Sequence, residues 1–293
     1  MRKLHPLMLG GTLFSPATHP NLLKILQREK LPQLRSIVID LEDALLANEQ
    51  SNALQKLQNI LEAFSQSDLI VFVRPASVLM LETILDFPSI QKVDGFILPK
   101  FSLHNATAYL SLLEEKPFFI MPSIESLDMF DPFALQELRL LLDKYKRQIL
   151  LIRIGCEDMF SHLGLKRQRG ESVFDRGVSS AVMYDIIKTF KPYGYAISGC
   201  VFPHFIDNKG FTEDIKRDFL EGLISKTIIH PNQIAPLEAL YKVTKEEFES
   251  AKRLLKSTEA VYNEEGMMAE KHTQSEYAKE VLFRASLYGV KEF

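Results

Sequence analysis

The chain has 293 residues, of which 46% are apolar and 25% are charged, a balance typical of a globular protein with a substantial core. Lys and Arg number 35 against 38 Asp and Glu, a net charge of −3, so we expect no basic face for nucleic acid. No apolar run reaches the roughly 18 residues that would predict a membrane-spanning helix.

Short apolar runs alternate with longer amphipathic segments through most of the chain. Each run is about four to eight residues long and lacks polar alternation, as in strands that are buried on both faces. The predicted strands are Leu7–Phe14, Ser36–Leu41, Leu69–Val73, Gly95–Leu98, Phe118–Met121, Ile149–Ile154, Tyr195–Ile197 and Thr227–Ile229. The predicted helices between them include Asn21–Lys30, Asn52–Phe64, Ala106–Glu115, Phe133–Lys146 and Ser179–Phe190.

This alternation predicts an α/β fold with a parallel sheet. Eight units in about 235 residues fit one closed (β/α)8 TIM barrel, which typically needs roughly 250 residues. After Val243 the chain is charged, without a strand pattern, and predicts helices at Lys245–Asn263 and Ser275–Tyr288. We therefore expect a barrel domain at 1–242 and a C-terminal helical extension at 243–293 that packs on the barrel or on a neighbouring subunit.

Cysteine usage and the N-terminus favour the cytoplasm. Cys156 and Cys200 lie far apart, without metal-ligand spacing, so the sequence supports neither a zinc site nor a disulfide framework. Arg2 and Lys3 are followed by a stretch that Pro6 and two glycines interrupt, which is unlike a signal peptide.

Charged side chains follow most of the predicted strands. In a TIM barrel the active site lies at the carboxyl ends of the strands, so these residues are the candidates for chemistry. They are Asp40, Glu42 and Asp43; Arg74; Lys100; Glu125; Glu157 and Asp158; and His230. The pattern indicates the active-site end without specifying a reaction.

Glu125 and Asp158 follow the fifth and sixth strands, which are neighbours in a barrel. Carboxylates that meet at a barrel mouth repel one another unless a cation lies between them. Oxygen ligands suit Mg²⁺, which usually takes one or two carboxylates together with water and substrate oxygens. We expect one Mg²⁺ on Glu125 and Asp158; for Asp158, capping of the following helix is an equally good interpretation.

Arg74 and Lys100 are the cations of the predicted site. Arg74 could bind a substrate carboxylate or stabilise an oxyanion, and it could also form an ion pair with a mouth carboxylate. Lys100 could form a Schiff base, but nearby carboxylates would keep its amine protonated, so we favour an ion pair. His230 could be a general base, although a structural histidine that starts the next turn is the favoured interpretation. His204 and Asp207 are weaker candidates.

Six segments occur in a recognisable order. They are Ile37–Ala44 (IVIDLEDA), Val73-Arg74, Leu98–Lys100 (LPK), Ile124–Ser126 (IES), Gly155–Gly164 (GCEDMFSHLG) and Lys226–Ile234 (KTIIHPNQI). Together they resemble the motifs of the citrate lyase beta-subunit superfamily, which includes malyl-CoA lyases and HpcH/HpaI aldolases. The segments GCEDMFSHLGLKR and YAISGCVFPHF most resemble a divergent subgroup found in tellurite-resistance and stress operons.

The resemblance implies a (β/α)8 barrel that forms trimers or hexamers, with Glu125 and Asp158 as magnesium ligands. It also implies that Arg74 binds substrate and stabilises an oxyanion, while Glu42 and Asp43 lie near the site. Two segments depart from the family pattern: Gly10–Ala17 lacks an arginine, and Ser198–His204 lacks an acidic residue. Binding of a coenzyme A thioester is therefore open.

These features predict a Mg²⁺-dependent carbon–carbon lyase or aldolase that acts through a stabilised enolate of a 2-oxo acid or acyl (thio)ester. Arg74, Glu42 and Asp43 are the predicted catalytic residues, and Arg74, Glu125 and Lys100 the predicted substrate-binding residues. We expect a small-molecule substrate, a homo-oligomer, and neither nucleic acid nor membrane as partner. The alternatives are other enolate chemistry, such as thioester hydrolysis, and a non-catalytic ligand-binding or regulatory barrel.

Overall fold

The structure, a computed structural model, describes residues 2–291, and the chain divides into two compact units between Ile234 and Ala235. The first unit contains a seven-stranded parallel sheet. Its strands are β1 (Gly11–Pro16), β2 (Ser36–Asp40), β3 (Ile70–Arg74), β4 (Gly95–Leu98), β5 (Phe119–Ile124), β6 (Arg153–Ile154) and β7 (Lys226–Ile228). The helices are α1 (Leu22–Leu26), α2 (Gln50–Ala63), α3 (Val78–Leu85), α4 (Ala106–Leu113), α5 (Pro132–Asp143), α6 (Cys156–His162), α7 (Gly177–Phe190), α8 (Asn208–Leu220) and α9 (Ile234–Tyr241), the last continuing into the second unit.

The sheet closes into the predicted TIM barrel. Its strand order is β6-β5-β4-β3-β2-β1-β7, and single parallel bridges join Ile152 to Ile197 and Gly199 to Lys226. The segment around 197–199 thus occupies the place of the seventh barrel strand, although the sequence predicted a regular strand at Tyr195–Ile197. Only isolated bridges form there.

Local sequence explains where the elements begin. The predicted first strand starts late, at Gly11, because Pro6–Leu9 forms a 3-10 turn capped by His5. Helix α5 begins at Pro132, which needs no N–H partner in the first turn, and the side chain of Asp131 caps it by accepting from Phe133 N. Asp207, a weak candidate for chemistry in the sequence, caps α8 by accepting from Gly210 N.

The second unit contains α10 (Lys245–Lys256), a hairpin of β8 (Val261–Glu264) and β9 (Met267–Glu270), and α11 (Lys271–Tyr288). The helix predicted at Lys245–Asn263 ends earlier, at Lys256, and no strand was predicted after Val243. A hairpin forms instead, because Glu265 and Gly266 both adopt positive φ and reverse the chain. The predicted boundary at 242 differs from the observed division because Tyr241 packs on Tyr288 and Val243 bridges Val290. Of the predicted segments 1–242 and 243–293, residues 1, 292 and 293 lie outside the described part.

Within residues 2–291 no helix combines the length and the apolar character needed to cross a membrane.

A buried ion network lies beside the segment 197–199, which occupies the place of the seventh barrel strand. Lys226 Nζ lies 2.8 Å from Asp214 Oδ2 and 2.5 Å from Asp218 Oδ2, and Arg167 Nη2 lies 2.6 Å from Asp214 Oδ1. All four side chains are buried. A Cβ on Gly199 would overlap the Asp218 carboxylate, so the absence of a side chain there lets the network approach the barrel wall.

We expect Lys226→Met to destabilise the protein by about 3–5 kcal/mol, because it leaves two buried carboxylates short of a cation. Lys216→Met on α8, the helix that carries Asp214 and Asp218, is the control, since Lys216 forms an exposed pair with Glu213. That control should cost no more than about 1 kcal/mol. Urea unfolding measures both values, and equal losses would contradict a structural role for the network.

Candidate active site

The carboxyl ends of the barrel strands surround a cavity of about 420 Å³. Its charged lining residues are Asp40, Asp43, Arg74, Glu125, Arg153, Glu157 and Asp158. Apolar side chains such as Phe14, Ile97 and Ile229 line the remainder. Most of the strand-end residues that the sequence identified thus meet at one cavity, whereas Glu42, Lys100 and His230 do not line it.

The period of the strands explains which side chains reach this cavity. Val38, Phe72 and Leu151 belong to one buried apolar cluster. Because side chains two residues apart in a strand point to the same face, the next inward position on each strand lies one layer closer to the mouth. Asp40, Arg74 and Arg153 occupy those positions, so the polar floor of the cavity lies directly on the apolar core.

Arg74 is bound by carboxylates on several sides. It is paired in register with Asp40 on the neighbouring strand, and its Nε and Nη2 donate to Asp40 Oδ1 and Oδ2 at 2.7 and 2.6 Å. Its Nη1 lies 2.9 Å from Glu42 Oε2 and 3.2 Å from Asp43 Oδ2. Although burial opposes the charge, hydrogen bonding to Asp40 raises the pKa of Arg74, so the guanidinium stays protonated.

Glu42 and Asp43 differ in their environment. Burial raises the pKa of the Glu42 carboxyl to about 8, although Arg74 opposes the shift. Asp43 is more exposed, and there Arg74 and Lys100 outweigh burial and lower the pKa of the carboxyl. Glu42 Oε2 is buried, and its contact with Arg74 Nη1 is an ion pair without hydrogen-bond geometry.

Glu125 is held rigidly at the end of β5. Its side chain is buried, Oε1 accepts from Lys100 N at 2.6 Å, and Oε2 accepts from Ser123 Oγ at 2.7 Å. Lys100 adopts a φ of 47°, in the left-handed region that residues other than glycine rarely occupy. Burial raises the pKa of Glu125 despite these hydrogen bonds.

Asp158 lies in the first turn of α6, and Lys100 Nζ lies 2.7 Å from its Oδ1. Lys100 Nζ also lies 3.3 Å from Glu42 Oε1 and 3.4 Å from Asp43 Oδ1. Although burial opposes the charge, the hydrogen bond to Asp158 and the nearby carboxylates raise the pKa of Lys100. Its amine is therefore an ion-pair partner rather than a nucleophile, and Asp158 is not the helix cap, since that position is Gly155.

Glu125 and Asp158 converge on the space beside Gly155. A Cβ on Gly155 would overlap Glu125 Oε2 and would lie 3.1 Å from Asp158 Oδ2. The two carboxylates therefore share a small cradle that only a glycine leaves open. In residues 2–291 no three His, Cys, Asp or Glu side chains form a metal-ligating group, so a cation here would take two protein carboxylates at most.

The histidine candidates have structural surroundings. His230 caps the turn at Pro231–Gln233 through Nδ1, which accepts from Asn232 N at 3.1 Å, and its ring stacks on Phe205. It does not line the cavity. His204 follows the cavity residue Pro203, and its Nε2 is buried without a hydrogen-bond partner.

Cys156 and Cys200 are joined by a disulfide, with their Cα atoms 5.9 Å apart. The sequence analysis found no support for a disulfide, because the two cysteines are 44 residues apart in the chain and only the fold brings them together. Both sulfurs lie within 4.0 Å of Met183 Sδ in a buried cluster.

Arg153 is the site residue that the sequence analysis missed. The predicted site residues are charged residues that follow the strands, whereas Arg153 lies within β6. The two-residue spacing from Leu151 was the available signal, since an arginine at an inward position of a buried strand is unusual.

Comparison with known proteins places the chain in a family. The family model "C-C_Bond_Lyase of the TIM-Barrel fold" matches residues 3–290. The mitochondrial citramalyl-CoA lyase of Rattus norvegicus is 26% identical over 250 residues, covering 77% of this chain and 70% of that protein. The Mus musculus protein of the same name is 26% identical over 253 residues, with the same coverage.

Two solved structures share the fold. A citrate lyase from Burkholderia xenovorans LB400 has a TM-score of 0.75 and 19% identity, covering 99% of this chain and 97% of that chain. CitE from Mycobacterium tuberculosis, in complex with magnesium, acetoacetate and coenzyme A, has a TM-score of 0.71 and 19% identity, covering 96% and 99%. The fold and family predicted from the sequence are confirmed: the chain belongs to the C–C bond lyase family of the TIM-barrel fold.

Proposed function

We propose that this protein is a Mg²⁺-dependent lyase that cleaves or forms a carbon–carbon bond next to the carbonyl of a small 2-oxo acid or acyl (thio)ester. The observation that carries the proposal is the convergence of Glu125 and Asp158 beside Gly155. Two carboxylates facing one open space repel each other, and a divalent cation relieves that repulsion. The all-oxygen donor set suits Mg²⁺, which completes its shell with water and substrate oxygens.

The relatives support this class of substrate. CitE structures from M. tuberculosis contain magnesium with acetoacetate or oxaloacetate, and the rat and mouse relatives are named citramalyl-CoA lyases. Acetoacetate and oxaloacetate are both small keto acids. Membership of the same family favours the same kind of reaction here.

The protein's own residues provide position and charge. Bound Mg²⁺ would act as a Lewis acid that polarises the carbonyl and stabilises negative charge. Arg74 faces the same cavity and, held by Asp40, offers a fixed positive charge to an oxygen that becomes negative. Lys100 pairs with Asp158 through its ammonium and holds Glu125 through its backbone N–H, so it positions both proposed ligands.

We also propose that the second unit mediates association with another copy of the chain. Met267, Met268 and Tyr277 are 74%, 65% and 61% exposed, and they line a groove of about 360 Å³. Exposed apolar side chains grouped around a groove are typical of an interaction surface. A trimer or hexamer is the proposed state. The proposed location is the cytoplasm, where reducing conditions would open the Cys156–Cys200 disulfide.

Glu125→Gln and Asp158→Asn should each lower Mg²⁺ affinity at least about tenfold, because each removes a charged ligand. Asp185→Asn is the control, since Asp185 pairs with Lys188 on the surface of α7. Isothermal titration calorimetry measures the affinities. Product analysis with an acyl-CoA distinguishes carbon–carbon cleavage, which leaves a shorter acyl-CoA, from thioester hydrolysis, which releases free coenzyme A. Absence of Mg²⁺ binding by the wild type would refute the proposal and favour a ligand-binding barrel.

Gly155→Ala should lower Mg²⁺ affinity by about 10- to 100-fold, because its methyl group displaces Glu125 and crowds Asp158. Gly177→Ala is the matched control, since a Cβ there has open space around it. An unchanged affinity in Gly155→Ala would place the metal elsewhere.

Met267→Glu combined with Met268→Glu should shift the protein to a smaller assembly, because it puts charge into the proposed interface. Light scattering coupled to size-exclusion chromatography measures the mass. An unchanged mass, with the wild type oligomeric, would exclude this surface.

A further inference from the structure

The cavity at the barrel mouth holds two arginines in contrasting states. Arg74 lies within 3.2 Å of oxygens from three carboxylates. Arg153 lines the same cavity and forms no ion pair with any residue that the structure describes. Arg74 is thus paired with carboxylates of the protein, whereas Arg153 faces the cavity without an anionic partner among residues 2–291.

The contacts of Arg153 are sparse for a buried guanidinium. Its residue is 2% exposed, Nη1 donates to Thr227 Oγ1 at 3.1 Å, and Nη2 donates to Thr12 Oγ1 at 2.8 Å. Both acceptors are neutral hydroxyls, and Nε has no hydrogen-bond partner. Burial and the charge of Arg74 lower the pKa of Arg153 to about 9, so it is still a cation at neutral pH.

The two arginines share one aromatic ring. The Cζ atoms of Arg74 and Arg153 lie 5.1 and 5.5 Å from the centre of the Phe14 ring. Like charges so close to one ring repel each other at the floor of the cavity, and an anion there would attract both.

A buried cation without an anionic partner is costly to a folded protein. Such a group on a rigid strand, facing a cavity, indicates that its partner is a ligand. We propose that Arg153 binds a carboxylate of the substrate at the cavity floor, while Glu125 and Asp158 would hold the Mg²⁺ that polarises the carbonyl. The natural substrate would then be a 2-oxo acid or acyl compound with a further carboxylate; this assignment rests on the proposed function.

Oxaloacetate and pyruvate provide matched probes, since they share a 2-oxo carboxylate and only oxaloacetate carries a second carboxylate. The wild type, with Mg²⁺ present, should bind freshly dissolved oxaloacetate more tightly than pyruvate. Arg153→Met should weaken oxaloacetate binding by about 10- to 100-fold, the contribution of a charged hydrogen bond, and change pyruvate binding by less than about threefold. Calorimetry measures all four affinities.

Thermal unfolding without ligand separates binding from a structural role. Arg153→Met should unfold at the same temperature as the wild type or higher, because it removes an unpaired buried charge. Arg139→Met, which breaks the largely buried pair with Asp143, should unfold at a lower temperature. Arg153→Lys, which keeps the charge in a different shape, should restore part of the oxaloacetate affinity.

The outcomes distinguish the two proposals. If Arg153→Met binds Mg²⁺ like the wild type and also binds oxaloacetate like the wild type, the role of Arg153 is wrong and the metal site stands. If Arg153→Met is unstable while Arg153→Lys is stable and binds oxaloacetate normally, the arginine is structural and the inference fails. If the wild type binds no Mg²⁺ but loses oxaloacetate affinity on Arg153→Met, the metal proposal fails and the anion site remains.

Discussion

Parallel strands of a barrel end together, and this forces the charged residues that follow them into one small space. Asp40, Glu42 and Asp43 from one strand end meet Arg74 from the next, and Lys100 links them to Asp158. Asp40 and Arg74 could not be this buried without each other, because an isolated charge in a low-dielectric environment is unstable, whereas Asp43 and Lys100 lie nearer to solvent. The positions of the mouth loops therefore depend on mutual neutralisation as much as on hydrogen bonding within the sheet.

The sequence was sufficient for the barrel, since buried strands produce uninterrupted apolar runs and the intervening helices are amphipathic. It was also sufficient to find the charged strand ends, because chain order and strand order coincide from β1 to β6. The sequence does not show which side chains contact one another. It places Arg74 at the end of the third strand, but only the register between β2 and β3 shows that Arg74 lies beside Asp40.

The errors have physical causes of the same kind. The strands β8 and β9 are short, so they contain too few residues to show a clear alternation of apolar and polar side chains. Their turn depends on two residues with positive φ. The pairing of Cys156 with Cys200 depends on barrel closure, not on sequence distance. Arg153 lies inside the predicted strand Ile149–Ile154, so it is not among the charged residues that follow the strands. The segment Gly10–Ala17 lacks the arginine of the family pattern, and Arg153 of β6 lines the cavity.

The disulfide makes the candidate active site sensitive to the redox conditions in which the protein is prepared. Cys156 is the residue after Gly155 and lies two positions before Asp158, and Cys200 precedes the cavity residues Val201 and Pro203. Protein purified with a reducing agent and protein purified in air would be two covalent species that differ beside a proposed metal ligand. Affinities obtained from such preparations would describe different molecules, and the thiol content of a preparation belongs with any constant measured on it.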